Sequence, residues 1–238
     1  ALIAGKAYPH SIMVNRAGRR FTNEAQPYED VVKDQLASEA RGEGAIPCYL
    51  VFDARFRRRY PAGPIKPGRI GQDERLPRAW FDSGLLTRAD SLRELAEKTG
   101  IDGAALARTI ERFNAHARQG EDPEFGRGST EHDRYYADHR MQPNPCLGPL
   151  EQAPFYALRV EAGDLDTKGG LQCDEFARVL NEAGQPIAGL YAAGNTSAAV
   201  MGDTSPGAGA TIGSAMTFAY IAAQHAFSTS AGSEEITP

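Results

Sequence analysis

The residues with the clearest chemical potential stand in one stretch, residues 189–226. A short apolar run ends at Gly194, a loop of small and hydroxyl residues follows, and Gly207-Ala208-Gly209 leads into a predicted helix over residues 210–227. Where a strand is followed by a loop of small residues and then by a helix, the backbone N–H groups at the start of the helix face an anion or the electron-rich edge of a ligand. Spacing alone fits a tightly packed core helix equally well, because GAG matches neither a dinucleotide fingerprint nor a phosphate loop.

A second candidate is Tyr28, which follows Pro27 in the run Gln-Pro-Tyr-Glu-Asp. A lone tyrosine after proline is most often a packing residue with a hydrated hydroxyl. A phenol titrates near pH ~10, so service as a general base requires either a lowered pKa or concerted proton transfer. The residue therefore has both a structural and a catalytic interpretation.

Composition limits the classes of function. The chain has 238 residues, 41% hydrophobic and 24% charged, which describes one large or two small globular domains. A net charge of −5 predicts neither nucleic acid nor an anionic membrane as partner. No apolar run approaches the roughly 18 residues of a membrane span. Three scattered cysteines without CxxC spacing disfavour zinc or a disulfide framework and favour a reducing, cytoplasmic compartment.

The helices and strands that must position these residues are predicted from hydrophobic periodicity and from the residues that typically begin and end such elements. Residues 11–15 read as a strand, and a return over residues 19–24 predicts a hairpin. The arginines at 55 and 57–59 are interpreted as a solvated helix end. Residues 57–77 and 121–148 are predicted loops. Further predictions are a helix over 29–40, a buried strand over 48–52, helices over 91–100 and 104–118, a strand over 154–160 and a hairpin turning at 181–185.

Several stretches resemble one known family. SIMVNRAGRRFTNE resembles the "xVNxxGxRFxNE" segment of the succinate dehydrogenase/fumarate reductase flavoprotein superfamily, and TKGGL resembles its TxGGL turn. GLYAAGN followed by PGAGATIG resembles the C-terminal flavin-contacting segment. The string DPEFGRG…DRYYAD…NPCLGPL…PFYAL resembles the substrate cap of 3-ketosteroid Δ1-dehydrogenases. The resemblance covers residues 6–226 and is strongest to that group.

The resemblance implies an α+β / α/β fold: a partial FAD-binding domain with an inserted α+β substrate-capping domain. Residues 1–45 would be an FAD-domain segment with the active-site hairpin, 46–153 the cap, and 154–238 the C-terminal FAD-domain segment. The sequence contains no GxGxxG, the fingerprint that holds the dinucleotide pyrophosphate. This absence and the missing initiator Met predict a fragment, and a complementing N-terminal half as a partner.

The chemistry implied by the resemblance is trans removal of two hydrogens beside a ring ketone of an apolar, steroid-like substrate, with hydride passing to FAD. Tyr28 lies in the NExxPY context of the family's base. Ser205 stands where these dehydrogenases carry a tyrosine, which polarises the ketone together with an N–H equivalent to that of Gly209. The residues that would meet the isoalloxazine are Gly194, Asn195, Thr196, Ala210, Thr211 and Ile212.

Two departures keep alternatives open. A serine hydroxyl at position 205 is shorter than a phenol and has a much higher pKa, which points to another ketone, a bridging water or lost activity. The substrate-clamping arginine of fumarate reductases aligns near Pro206, which disfavours a dicarboxylate substrate and a fumarate reductase-type enzyme. A non-catalytic module that binds an apolar ligand, or an inactive fragment, is the alternative from another class.

Overall fold

The structure is a computed structural model that describes residues 2, 5–164 and 166–231, with side chains described as far as residue 228. The described residues form two compact units, divided in sequence between residues 163 and 164. The predicted segment boundaries at 45/46 and 153/154 both fall within the first unit, and they stay predictions.

A four-stranded antiparallel sheet forms the centre of the first unit. Its strands are β1 (Ser11–Val14), β2 (Cys48–Phe52), β3 (Leu86–Ala89) and β4 (Phe155–Val160). Their order in the sheet is β1-β2-β4-β3. In its register Ile12 lies opposite Val51, and Leu50 lies opposite Leu158. The pairing of β2 with β4 joins residues that are more than one hundred positions apart in sequence.

Both faces of this sheet are buried, which explains the uninterrupted apolar run of β2 that predicted a buried strand. Alternate residues point to opposite faces. One face of the sheet packs against two helices, over residues 92–99 and 103–119. The other face packs against aromatic and aliphatic side chains from residues 31–65. The first face includes Ile12, Val14, Val51, Ala157, Leu95, Leu106 and Phe113; the second includes Met13, Leu50, Phe52, Leu158, Val31, Phe56 and Ile65.

The helices of the first unit begin and end at the residues that the sequence marks. Asp102 Oδ1 accepts from Ala105 N at 2.9 Å, and Ser91 Oγ accepts from Glu94 N at 3.1 Å. Gly100 and Gly120 end these two helices in the left-handed conformation. The predictions for residues 91–100 and 104–118 are confirmed. The helices are α1 (Tyr28–Ala40), α2 (Ala54–Arg59), α3 (Arg78–Asp82), α4 (Leu92–Thr99), α5 (Gly103–Gln119) and α6 (Glu131–Tyr135).

Two predictions for the first unit were wrong. Strand β1 pairs with β2 rather than with residues 19–24, which have no strand conformation. The turn exists, because Asn15 Oδ1 accepts from Arg19 N at 3.0 Å, but the following side chains turn inward to a buried cluster of charges. Of the arginines predicted as a solvated helix end, Arg58 and Arg59 are exposed, but Arg57 is buried: its guanidinium binds Asp73 and two loop carbonyls.

The second unit contains a β-hairpin, a short 3-10 turn and one long helix. Its elements are β5 (Arg178–Leu180), β6 (Pro186–Tyr191), the turn Gly194–Thr196 and α7 (Ala210–Ala231). The predicted hairpin is confirmed, and so is the helix over 210–227, which extends to residue 231. Residues of the TKGGL turn run beside residues 196–199: Leu171 N donates to Thr196 O at 2.9 Å. A Cβ at Gly170 would lie 2.4 Å from the carbonyl carbon of Ser197, so this close approach requires glycine.

Candidate functional site

Tyr28 is half-buried and is the first residue of α1. Its neighbour Pro27 is the N-cap, with φ −49°, and no side chain caps this helix end. The Pro27 carbonyl accepts from Asp30 N and Val31 N, each at 3.1 Å. The cap residue supplies no side-chain acceptor, so the first turn of α1 lacks the stabilisation of a side-chain N-cap.

A buried cluster of charges holds the segment that leads to Tyr28. The Glu24 carboxylate, fully buried, accepts from Arg20 at 2.9 and 2.7 Å, from Met13 N at 3.0 Å and from Arg127 at 3.2 Å. Burial by itself raises the pKa of Glu24, but the two guanidinium groups outweigh that effect and hold the pKa below its ordinary value. Glu24 is therefore ionised, and it ties the segment to β1.

The two arginines of this cluster bind further partners. Arg20 makes a bidentate pair with Asp122, both bonds 2.8 Å long, and lies over the rings of Phe113 and Phe125 at 5.2 and 4.9 Å. Burial raises the pKa of Asp122, and the Arg20 guanidinium reverses this and lowers it. Arg127 donates to three backbone carbonyls, those of Ser11, Tyr8 and Lys6, at 2.7, 2.7 and 3.3 Å.

Lys6 reaches the same segment from the other side. The residue is 3% exposed, and its ammonium donates to Glu24 O at 2.9 Å and to Gln26 O at 2.5 Å. Burial and the nearby Arg127 charge lower the pKa of Lys6 to about 8. The residues before Tyr28 are thus held by one ammonium and two guanidinium groups.

The loop that carries Ser205 lies in the second unit. Ser205 is half-buried, and the preceding Thr204 carbonyl accepts from Lys168 Nζ at 3.1 Å. The Lys168 carbonyl in turn accepts from Ala199 N at 3.0 Å, which ties the loop to the TKGGL turn. Gly209, with φ +85°, directly precedes α7, a backbone conformation that side chains other than glycine rarely adopt.

A cavity of about 680 Å³ opens within the second unit beside this loop. Thr211, Ser214, Phe218 and Ile221 of α7 line it at helical spacing, opposite residues of the TKGGL turn and of the 3-10 turn. Of the residues predicted to meet an isoalloxazine, Gly194, Asn195 and Thr211 line the cavity. Thr196, Ala210 and Ile212 do not, and all six assignments stay predictions.

The residues that line this cavity leave room for a flat ring. Small side chains at 197–199 and the apolar faces of Phe218 and Ile221 supply a wall, and Asn195, Thr211 and Ser214 supply polar groups. Gly207, Gly209 and Gly213 lie outside this lining, and a Cβ built at any of them would have no atom within 4 Å. The small and polar residues of the lining suit a flavin ring.

Tyr28 belongs to the first unit, whereas Ser205, Gly209 and the six predicted flavin-contacting residues belong to the second. Their catalytic and binding roles stay predictions. Sequence reasoning missed Lys6, Asp122 and Arg127, which hold the Tyr28 segment. Gly126 and Gly128, which flank Arg127 with positive φ, were the one local signal that this arginine occupies a fixed loop.

Other kinds of site find no support within the described ranges. No three His, Cys, Asp or Glu side chains there converge as metal ligands, and the three cysteines are free thiols. Among those same residues, no helix combines the length and apolar character required to cross a bilayer.

A comparison with known protein families shows the family to which the chain belongs. The FAD binding domain family matches residues 3–212. The chain belongs to this family. Its cofactor is accordingly FAD, and its mixed α/β fold agrees with the expectation from sequence.

Individual relatives are similar to the chain over nearly its whole length. The chain is 46% identical over 231 residues to the 3-oxosteroid 1-dehydrogenase of Mycolicibacterium smegmatis, covering 95% of this chain and 40% of the relative. It is 42% identical to the 4-oxocyclohexanecarboxylate 2-dehydrogenase of Sinomonas cyclohexanicum, covering 95% and 38%. The crystal structure of 3-ketosteroid Δ1-dehydrogenase from Sterolibacterium denitrificans with 1,4-androstadiene-3,17-dione matches with a TM-score of 0.91 and 46% identity, covering 96% and 40%.

These similarities confirm the resemblance to the ketosteroid dehydrogenase group that the sequence motifs indicated. The chain spans about 40% of the length of these relatives.

Proposed function

We propose that this chain is part of an FAD-dependent oxidoreductase that dehydrogenates, or in reverse reduces, a C–C bond beside a ring ketone. The observation that carries the proposal is the similarity, over 95% of the chain, to two dehydrogenases whose names both specify an oxo group on a ring. A steroid-like or more compact apolar ketone is the proposed substrate.

In this proposal Tyr28 takes a proton from the carbon beside the ketone. The contacts of Lys6 and of the Glu24 cluster hold the segment that leads to Tyr28. A fixed approach of the base favours proton transfer, because geometry precedes pKa in general-base catalysis. The Gly209 N–H and the Ser205 hydroxyl supply the donors that polarise the ketone oxygen. FAD, when bound, supplies the two-electron acceptor. The cavity residues Gly194, Asn195 and Thr211 would hold it.

A complementing N-terminal half is part of the same proposal. The exposed side of α7 carries Ile212, Met216, Tyr220 and Phe227, which are 65, 67, 67 and 77% exposed. Residues four apart lie on one face of a helix, so the first three form an apolar stripe. A stripe of this kind supports a further protein surface as its partner. The residues that the relatives have and this chain lacks are the proposed source.

The cytoplasm is the proposed compartment. Cys48 and Cys146 are buried thiols, and burial raises the pKa of Cys48 to about 12 and that of Cys146 to about 11. Thiols of this kind are unreactive and persist in a reducing environment.

The test combines this chain with a second chain corresponding to the uncovered part of the relatives, and measures flavin absorbance and turnover. A 3-oxosteroid and a simple cyclohexanone serve as substrates. Tyr28→Phe is expected to lower kcat by about 10²–10⁴-fold with little change in substrate affinity, because the phenol acts in the transition state.

Glu182→Gln, at the exposed turn of the β5–β6 hairpin, is the control and should leave turnover unchanged. Unchanged turnover in Tyr28→Phe would reduce Tyr28 to a packing residue. A colourless assembly that nevertheless binds steroid would favour a non-catalytic binding module.

A further inference from the structure

The burial of the Lys6 ammonium costs free energy and therefore needs an explanation. Its ammonium is buried with the residue 3% exposed, and the Arg127 guanidinium binds the Lys6 carbonyl. Removing a charge from water costs several kcal/mol, so a buried charge is weak evidence of a stabilising role, even though its removal alone leaves its partners uncompensated. What Lys6 does contribute is a fixed position for the backbone carbonyls that it binds.

The atoms that Lys6 binds lie directly before Tyr28. Lys6 Nζ donates to Glu24 O at 2.9 Å and to Gln26 O at 2.5 Å. The Gln26 carbonyl belongs to the peptide bond that joins Gln26 to Pro27, and the proline ring fixes the next φ angle at −49°. Two peptide bonds therefore separate the carbonyl that Lys6 holds from the Tyr28 Cα.

Gln26 also connects Lys6 to the body of α1. The Gln26 side-chain amide donates to Asp34 Oδ2 at 2.7 Å, and Asp34 lies in the second turn of that helix. Thr22 Oγ1 donates to the same Asp34 oxygen at 2.8 Å. Lys6 thus holds the main chain of Gln26 while Asp34 holds its side chain. Pro27 provides no side-chain cap, and these contacts tie the residues before the helix to its second turn.

The geometry points to Lys6 as a positioning residue that fixes the Tyr28 phenol for proton abstraction, an inference that rests on the proposed function. Lys6 does not touch the substrate in this assignment; it acts through the backbone of residues 24–27. A displacement of about 1 Å in a reacting group can cost about 10²-fold in rate. Loss of the two carbonyl contacts is expected to produce an effect of up to that size.

The first experiment uses the 238-residue chain itself. Amide hydrogen exchange is measured by NMR in the unchanged chain, in Lys6→Met and in Lys33→Met, an exposed lysine of α1 that serves as control. Lys6→Met should accelerate exchange at Ala25, Gln26 and Val31 by about tenfold or more. Amides of β2 should stay within about twofold, as should every amide in Lys33→Met. Equal acceleration throughout the first unit, or none before α1, would overturn the inference.

The second experiment uses the assembled, flavin-loaded enzyme. Lys6→Met should lower kcat by about 10–100-fold and leave KM within about threefold, because substrate contacts are unchanged. In the Tyr28→Phe background the same change should have little further effect, since residues that act as a unit are not additive. An undiminished kcat, or fully additive losses, would contradict the positioning role.

The two proposals can fail separately. Turnover unaffected by Tyr28→Phe would overturn the proposed function, and the exchange experiment would then decide whether Lys6 orders this segment. Turnover lowered by Tyr28→Phe but not by Lys6→Met would keep the function and overturn the role of Lys6.

Discussion

At position 205 a serine hydroxyl stands where the resemblance to 3-ketosteroid Δ1-dehydrogenases calls for a phenol. The side chain is half-buried in the loop before α7, and Lys168 holds the neighbouring Thr204 carbonyl. A serine oxygen lies several ångströms closer to the backbone than a tyrosine oxygen would. Under the proposed function, Ser205 would therefore suit a ketone that approaches the loop more closely, or one bridged by a water molecule.

Ser205→Tyr is expected to raise the rate with a 3-oxosteroid in the assembled enzyme. Loss of one oxyanion donor costs about 10²–10³-fold in comparable sites, so a restored donor can return up to that factor. Steady-state rates with a 3-oxosteroid and with cyclohexanone provide the measurement. Thr204→Tyr, one residue earlier in the same loop, is the control. Equal rates in Ser205→Tyr and the unchanged enzyme, with the flavin spectrum intact, would show that residue 205 does not face the ketone.

The stability of the first unit is expected to depend on pH through His10. It is 3% exposed with φ +67°, its Nδ1 lies 2.8 Å from Pro149 O, and its Nε2 has no partner among the described residues. Burial lowers the pKa of His10 below 6.5. Between the folded pKa and about 6.5 the unfolded chain binds the proton and the folded chain does not, so stability is complete above 6.5 and falls as pH falls.

Urea unfolding between pH 4.5 and 8 is therefore expected to show a loss of stability below about pH 6.5 that His10→Asn reduces. Asparagine tolerates the left-handed conformation and retains an N–H donor near the Nδ1 position. His116→Asn on α5 controls for the removal of a histidine. Identical pH profiles for His10→Asn and the unchanged chain would assign the acid loss to other groups.

At the scale of elements, the first unit depends on charges that lie between its segments rather than within one of them. Glu24 binds Arg20 four residues away and Arg127 one hundred and three residues away. The cluster joins the segment before α1, strand β1 and the loop that contains Arg127. Removal of one partner leaves the other charges buried without compensation.

Glu24→Gln is expected to lower the free energy of unfolding of the first unit by about 3–5 kcal/mol, the usual cost of breaking a buried ion pair. The single tryptophan, Trp80, packs against the core of this unit and reports its unfolding by fluorescence. Arg112→Met breaks an exposed pair with Glu124 and should cost no more than about 1 kcal/mol. Similar losses in the two variants would deny the Glu24 cluster its structural role.

The same elements show what local sequence can predict. The bounds of α4 and α5 followed from Ser91, Asp102 and the closing glycines, because caps act within four residues. The hairpin at residues 11–24 was wrong because the true partner of β1 begins thirty-four residues beyond its end, at Cys48. The roles of Arg57 and Arg127 could not be predicted, since an arginine in a polar loop has the same local pattern whether it is solvated or buried.

At the scale of the molecule, the chain has the later elements of an FAD-binding fold without a pyrophosphate fingerprint in its sequence. The isolated chain is therefore expected to hold FAD weakly or not at all. A fluorescence titration of FAD with the 238-residue chain, beside the same titration of the assembled enzyme, measures the difference. Tight, stoichiometric binding by the chain alone would contradict the expectation and place the main FAD contacts within these 238 residues.

The long span between Glu24 and Arg127 has a consequence for synthesis on the ribosome. Translation at about 5–20 residues per second leaves about 5–20 seconds between the emergence of the two residues. Strand β4, which lies between β2 and β3 in the sheet, is made later still. During that interval the ammonium of Lys6 and the carboxylate of Glu24 stay in water. The Tyr28 segment is thus synthesised well before Arg127 and β4, and it is among the last parts of its unit to reach its final conformation.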